Sequence, residues 1–122
     1  MRTREIREAG APFVTPGGER IVELIGNASP AQSARHSVAV ITLPPGKSSA
    51  LHMQPEAEES YLVTAGRAEI RVGEETFSLH EGTAVLIPSQ APRKIANSGD
   101  DDLVYVAVCV PAWEPTNTVP LE

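Results

Sequence analysis

Five side chains in this 122-residue chain have the types and spacing to do chemistry together or apart: His52, Gln54, Glu59, Tyr61 and Arg93. His52 and Gln54 stand two apart, so on an extended strand both point to one face. Glu59 and Tyr61 share the parity of Val63 in the next segment, and Arg93 shares that of Ile95 and Asn97 further on. An imidazole exchanges protons near neutral pH, which makes His52 a candidate general acid or base. A guanidinium keeps its charge at every accessible pH and offers five donors without an acceptor. Arg93 is therefore suited to a carboxylate, enolate or phosphate, or to oxyanion charge developing in a transition state. Tyr61 offers a phenolic donor, and a buried tyrosine with a satisfied hydroxyl is the plain structural alternative.

Other polar residues point elsewhere. His36 opens a strand whose Val38 and Val40 share its face, and His80 precedes Glu81-Gly82 in a turn, so one reads as a strand-end residue and the other as solvated. Glu56, Glu58 and the run Asp100 to Asp102 read as loop charges without the regular oxygen spacing of a calcium loop. No serine sits in a Gly-x-Ser-x-Gly context, which leaves serine hydrolysis unsupported. Cys109 is the only cysteine, so no intramolecular disulfide or Cys-x-x-Cys site is expected, and it reads as a small buried apolar residue.

The elements that must position these residues are strands. Turn punctuation arrives about every eight to twelve residues, at PGG 16–18, PPG 44–46, Gly66, Gly73, Gly82, Pro88 and Gly99. Between these lie short β-type runs at 19–26, 36–43, 58–65, 68–73, 75–80, 84–88, 93–97 and 103–110. The pattern predicts an all-β fold. Only the first ten residues have a plausible helical reading. The run LVYVAVCV is apolar on both faces, with Val104, Val106, Val108 and Val110 on one and Tyr105, Ala107 and Cys109 on the other. It reads either as a plain central strand or as a strand that lines an interior and packs outward on a second sheet or subunit; a homodimer is the partner expectation. Trp113, in the proline-rich tail, reads as a packing anchor.

Bulk composition narrows the function classes. Hydrophobic residues at 41% and charged residues at 21% fit one globular domain, 1–122, with an N-terminal arm (1–18), a barrel (36–111) and a C-terminal tail (112–122). The net charge of −6 gives no basic footprint for nucleic acid. No stretch approaches the roughly 18 apolar residues of a membrane helix, and no apolar leader segment follows the three N-terminal arginines. A cytoplasmic protein without nucleic-acid or membrane partners is expected.

Two spaced half-motifs carry a family resemblance. Gly46, His52, Gln54, Glu59 and Gly66 follow the spacing Gly, five residues, His-x-His, four residues, Glu, six residues, Gly, with Gln54 in place of the second His. Gly82, Pro88, Gln90, Arg93 and Asn97 follow Gly, five residues, Pro-x-Gly, two residues, His, three residues, Asn, with Arg93 in place of the His. Separated by fifteen residues (67–81), these resemble the two signatures of small single-domain cupins. The resemblance implies a jelly-roll β-barrel with positions 52, 54, 59 and 93 gathered in its interior, where cupins hold a transition metal.

With two imidazoles lost and a guanidinium gained, a metal-free site is the favoured expectation; the alternative is a divalent transition metal on a reduced His52, Gln54 and Glu59 set. Without metal, Glu59 and Arg93 most simply form an ion pair. The functional expectations are then three. One is a metal-free isomerase, cyclase or dehydratase of a small-molecule pathway, with His52, Glu59 and Arg93 catalytic and Arg93, Gln54 and Tyr61 binding substrate. A second is a non-catalytic binder that holds an anionic small molecule through Arg93, and a third a metal-dependent, dioxygenase-like cupin.

Overall fold

Alternation sets the strands. Along Glu58–Ala65, the side chains of Glu59, Tyr61 and Val63 are buried while Glu58, Leu62 and Thr64 are exposed, as in a sheet with one face on a core and one toward water. Arg93–Asn97 repeats this, with Arg93, Ile95 and Asn97 buried, and Leu103–Val110 buries Leu103, Tyr105, Ala107 and Cys109. The computed structural model describes residues 2–8 and 12–122. Part of the expected arm, residues 1 and 9–11, lies outside the described residues.

In chain order the strands are β1 (Phe13–Val14), β2 (Arg20–Ile25), β3 (Ser37–Leu43), β4 (His52–Met53), β5 (Glu58–Ala65), β6 (Arg67–Val72), β7 (Glu75–His80), β8 (Ala84–Ile87), β9 (Arg93–Asn97), β10 (Leu103–Val110) and β11 (Val119–Pro120). They form a six-stranded sheet, β1-β2-β3-β10-β5-β8, and a five-stranded sheet, β11-β4-β9-β6-β7. Every pairing is antiparallel. The two inner faces enclose a core that includes Leu43, Val63, Ile70, Ile87, Ile95, Leu103 and Tyr105. Each such side chain contributes about 1.5–3 kcal/mol by leaving water. The outer face of β10 carries the half-buried Val104, Val106 and Val108, beside the exposed Leu62 of β5 and Leu86 of β8. Among the described residues no helix is long and apolar enough to cross a membrane.

Both ends of the chain are more ordered into the barrel than their composition implies. Residues Ile6–Glu8 make a single 3-10 turn, and Phe13–Val14, expected to belong to a free arm, pair with Ile21 and Arg20 to form the edge of the large sheet. The proline-rich tail supplies β11, whose Val119 and Pro120 pair with Met53 and His52. Two motif positions show why particular backbones are needed. Gly66 turns the chain from β5 to β6 at φ +84°, and a Cβ there would stand 2.6 Å from the carbonyl oxygen of Asp102. Gln90 adopts φ 69°, the left-handed region where glycine is at ease, and its N–H reaches the carbonyl oxygen of Gln54 at 2.8 Å.

Candidate functional site

A cavity of about 1080 Å³ opens between the sheets. Its origin is visible in the register of β3 with β10. Leu103 lies opposite Leu43 and Tyr105 opposite Ile41, but further along Ala107 faces Ala39 and Cys109 faces Ser37. Large side chains fill one end of the barrel, and four small ones, all lining the cavity, leave the other end hollow. The volume is that of a small-molecule site.

Glu59 and Tyr61, from β5, line this cavity; Arg93 does not. The Arg93 side chain has no solvent exposure, and its Nη1 donates to Oε1 of Glu59 at 2.8 Å. Its Nε donates to the carbonyl oxygen of Ala91 at 3.1 Å, and Nη2 to those of Ala91 and Pro88 at 2.9 and 3.2 Å. Four of its five N–H groups are thus committed to the protein. Arg93, expected to bind substrate and stabilise an oxyanion, is instead spent on the Glu59 carboxylate and on a turn. Tyr61 Oη also donates to Oε1 of Glu59, at 3.2 Å, so the phenol fixes the carboxylate and Oε2 keeps no protein partner among the described residues. Burial, reinforced by the charge of Glu59, holds the Tyr61 phenol well above its ordinary pKa.

His52 and Gln54 line the cavity from the opposite sheet. His52 is opposite Arg93 in the β4–β9 register. Its Nδ1 lies 2.8 Å from the carbonyl oxygen of Ala50. A carbonyl only accepts, so Nδ1 carries the proton of the neutral ring and Nε2 holds the lone pair, untouched by any described protein group. Gln54 is 2% exposed; its Oε1 accepts from Thr118 Oγ1 at 3.3 Å, and its amide nitrogen has no protein partner. The tail sets this arrangement. Thr118 also accepts from Trp113 Nε1 at 3.0 Å, Leu121 N donates to the carbonyl oxygen of Leu51 at 2.8 Å, and Leu51 N donates to Glu122 Oε1 at 2.8 Å. Trp113, expected as a packing anchor, is both anchored and part of the cavity wall.

Sequence reasoning missed Glu19, Glu23 and Phe13, which line the cavity from the β1–β2 edge. Glu19 shares parity with Ile21 and Glu23, and that alternation was the available signal. Its Oε1 accepts from Thr15 Oγ1 at 3.0 Å, while Glu23 Oε2 accepts from Ala28 N at 2.7 Å; burial raises the pKa of Glu23 despite that bond. Tyr105 packs its ring 4.9 Å from that of Tyr61, and its buried hydroxyl faces Glu19 without a well-formed hydrogen bond. Burial, then the neighbouring charges of Glu19 and Glu59, hold that phenol well above its usual pKa. The Cys109 thiol is pushed up to about 12 by burial, which makes it inert as a nucleophile or ligand. His36 and His80 stay outside the site, exposed and bonded locally to Ser33 Oγ and the carbonyl oxygen of Glu81.

The donors at the four motif positions do not fit a metal ion. One carboxylate oxygen is taken by Arg93 and Tyr61, the Gln54 oxygen is taken by Thr118, and a guanidinium bonded to the carboxylate would repel a cation placed beside it. No group of three or more His, Cys, Asp or Glu among the described residues is arranged to hold one.

Two antiparallel sheets closed around an interior cavity define a jelly-roll β-barrel. A family model described as Cupin domain matches residues 39–109, and the chain belongs to that family. It is 29% identical over 111 residues to the Methanocaldococcus jannaschii protein MJ1618, covering 91% of this chain and 88% of that one. It is 31% identical over 110 residues to an oxalate decarboxylase of Arthroderma benhamiae, covering 85% of this chain but only 26% of that enzyme. Among solved structures, KdgF from Halomonas sp. superposes with a TM-score of 0.80 at 16% identity, over 95% of this chain and 98% of KdgF, a likeness of fold.

Proposed function

We propose that this cupin is a metal-independent enzyme that moves protons on a small organic molecule bound in the barrel cavity, in an isomerisation, cyclisation or dehydration. The observation that carries this reading is the His52 tautomer: Ala50 holds the Nδ1 proton, and the basic Nε2 is left without a protein partner on a cavity-lining residue. In that role Nε2 takes a proton from a substrate carbon beside a carbonyl, and the free N–H of Gln54 donates to the oxygen that gains charge. Return of the proton to another atom of the same molecule completes an isomerisation. Glu59 presents its free oxygen to the substrate, with Arg93 and Tyr61 as positioning residues that hold the carboxylate in one orientation.

The test uses chelator-treated protein incubated in D2O with a small-molecule extract of the producing cells and followed by proton NMR. Wild type should convert or deuterate one compound, and His52→Ala should slow that change by about 10²–10⁴-fold, the usual weight of general acid–base catalysis. Equal rates in both proteins, or activity that returns only when a transition metal is restored, would overturn the proposal.

A further inference from the structure

The charges facing the cavity favour a ligand of one sign. Once Arg93 is sequestered behind Glu59, the cavity is lined by the carboxylates of Glu19, Glu23 and Glu59 and by one guanidinium, that of Arg4, which donates to Ser29 Oγ at 3.4 Å. Among the described residues neither Glu19 nor Glu23 has an ion-pair partner. Three of the chain's five aromatic residues, Phe13, Tyr61 and Trp113, also line the cavity. A further group marks this space as built for a polar ligand: the Gln54 amide nitrogen, on a cavity-lining residue 2% exposed, lacks a protein partner among the described residues. Unpaired carboxylates beside aromatic rings in a partly dry cavity attract a positive nitrogen by Coulomb and cation–π forces and repel an organic acid.

Resting on the reading of the cavity as a small-molecule site, we propose that its ligand is an organic cation, an ammonium group on an apolar or aromatic frame, with the ammonium bound at Glu19 and Phe13 on the same β1–β2 edge. This inverts the preference for an anion that Arg93 suggested in the sequence. Thr15 orients Glu19, because its hydroxyl receives the Glu19 N–H at 3.1 Å and donates to Oε1 at 3.0 Å.

The experiment is calorimetric titration of the full chain at neutral pH with three probes matched in ring and length: phenethylamine, phenylethanol and phenylacetate. The amine should bind about tenfold or more tighter than the alcohol, with the acid weakest. Glu19→Gln should remove the preference for the amine and leave the affinity for the alcohol. Phe13→Leu, a change at a residue 59% exposed and tolerable to the fold, should weaken the amine more than the alcohol and keeps the test alive if Glu19→Gln does not fold. Phenylacetate binding as tightly as the amine overturns the cation assignment and leaves the cavity as a small-molecule site. An amine preference unmoved in both variants also overturns the assignment. Failure of all three probes to bind overturns the cation assignment and the small-molecule reading together.

Discussion

Replacing Arg93 with Met tests what stands at the motif position of the missing histidine. Methionine keeps much of the arginine volume without charge or donors, so the change isolates the ion pair from packing. Glu59 is 6% exposed, and loss of its guanidinium leaves a buried carboxylate supported only by Tyr61. Breaking a buried pair from one side costs about 3–5 kcal/mol. The carbonyl groups of Pro88 and Ala91 also lose donors, but Pro88 is exposed and Ala91 partly so; water replaces much of that loss. A destabilisation of about 4 kcal/mol is expected, or a fall in Tm of about 16 °C at roughly 4 °C per kcal/mol for a chain of this length. Glu59→Gln added to Arg93→Met removes the stranded charge while keeping an acceptor for Tyr61, and should recover about 1–3 kcal/mol. Urea unfolding followed by the fluorescence of Trp113, the only tryptophan, measures both. Arg93→Met losing less than about 1 kcal/mol, or a double variant no more stable than the single one, would refute the assignment of Arg93 as the cation that neutralises Glu59.

Three further outcomes follow from the same geometry. Ala107→Leu projects into the hollow end of the barrel, so it should keep stability within about 1 kcal/mol while abolishing ligand binding, read by urea unfolding and by the titrations above. Gln90→Gly relieves the left-handed strain of φ 69° and should stabilise by up to about 1 kcal/mol after the added unfolded-state entropy, whereas Gln90→Val should lose more than about 1 kcal/mol, both read from the urea midpoint. The pKa of Glu122 is lowered by its hydrogen bond to Lys94 and then by that from the Leu51 N–H. A carboxylate lowered on folding stabilises the tail above its unfolded pKa of about 4.3 and loses that contribution as pH falls through the lower folded value. The amide resonance of Leu51 should therefore titrate in that acidic window, and Glu122→Gln should remove the transition.

Parity carried most of the fold. The runs at 58–65, 75–80, 93–97 and 103–110 match β5, β7, β9 and β10 residue for residue, because turn residues bracket them, and in β5 and β9 burial on one face also writes its period into the sequence. The short strands β1 and β11 were not legible, since two residues carry no period; they exist because Phe13–Val14 and Val119–Pro120 find edges provided by β2 and β4. The Glu59–Arg93 contact was open to expectation from opposite charges at motif positions. That Arg93 would spend four N–H groups on Glu59, Ala91 and Pro88, and so turn away from any ligand, depends on where the turn after β8 places its carbonyls.

Alternation and turn spacing in the sequence determined an all-β fold and the shared parity of His52 with Gln54 and of Glu59 with Tyr61, and the resemblance of the two half-motifs to the cupin signatures implied the jelly-roll barrel, with Gln54 and Arg93 at two positions where those signatures have histidine. These follow from alternation and from what each side chain can donate or accept, which are properties of short segments. Only the tertiary structure decided that the interior is a cavity and which charged side chains line it. The pairing of β3 with β10 sets Ala39 against Ala107 and Ser37 against Cys109, while packing buries the Arg93 guanidinium against Glu59 and, among the described residues, leaves Glu19 without an ionic partner. Register and hydrogen-bond competition join residues dozens of positions apart, so their outcome is absent from any single stretch of the sequence.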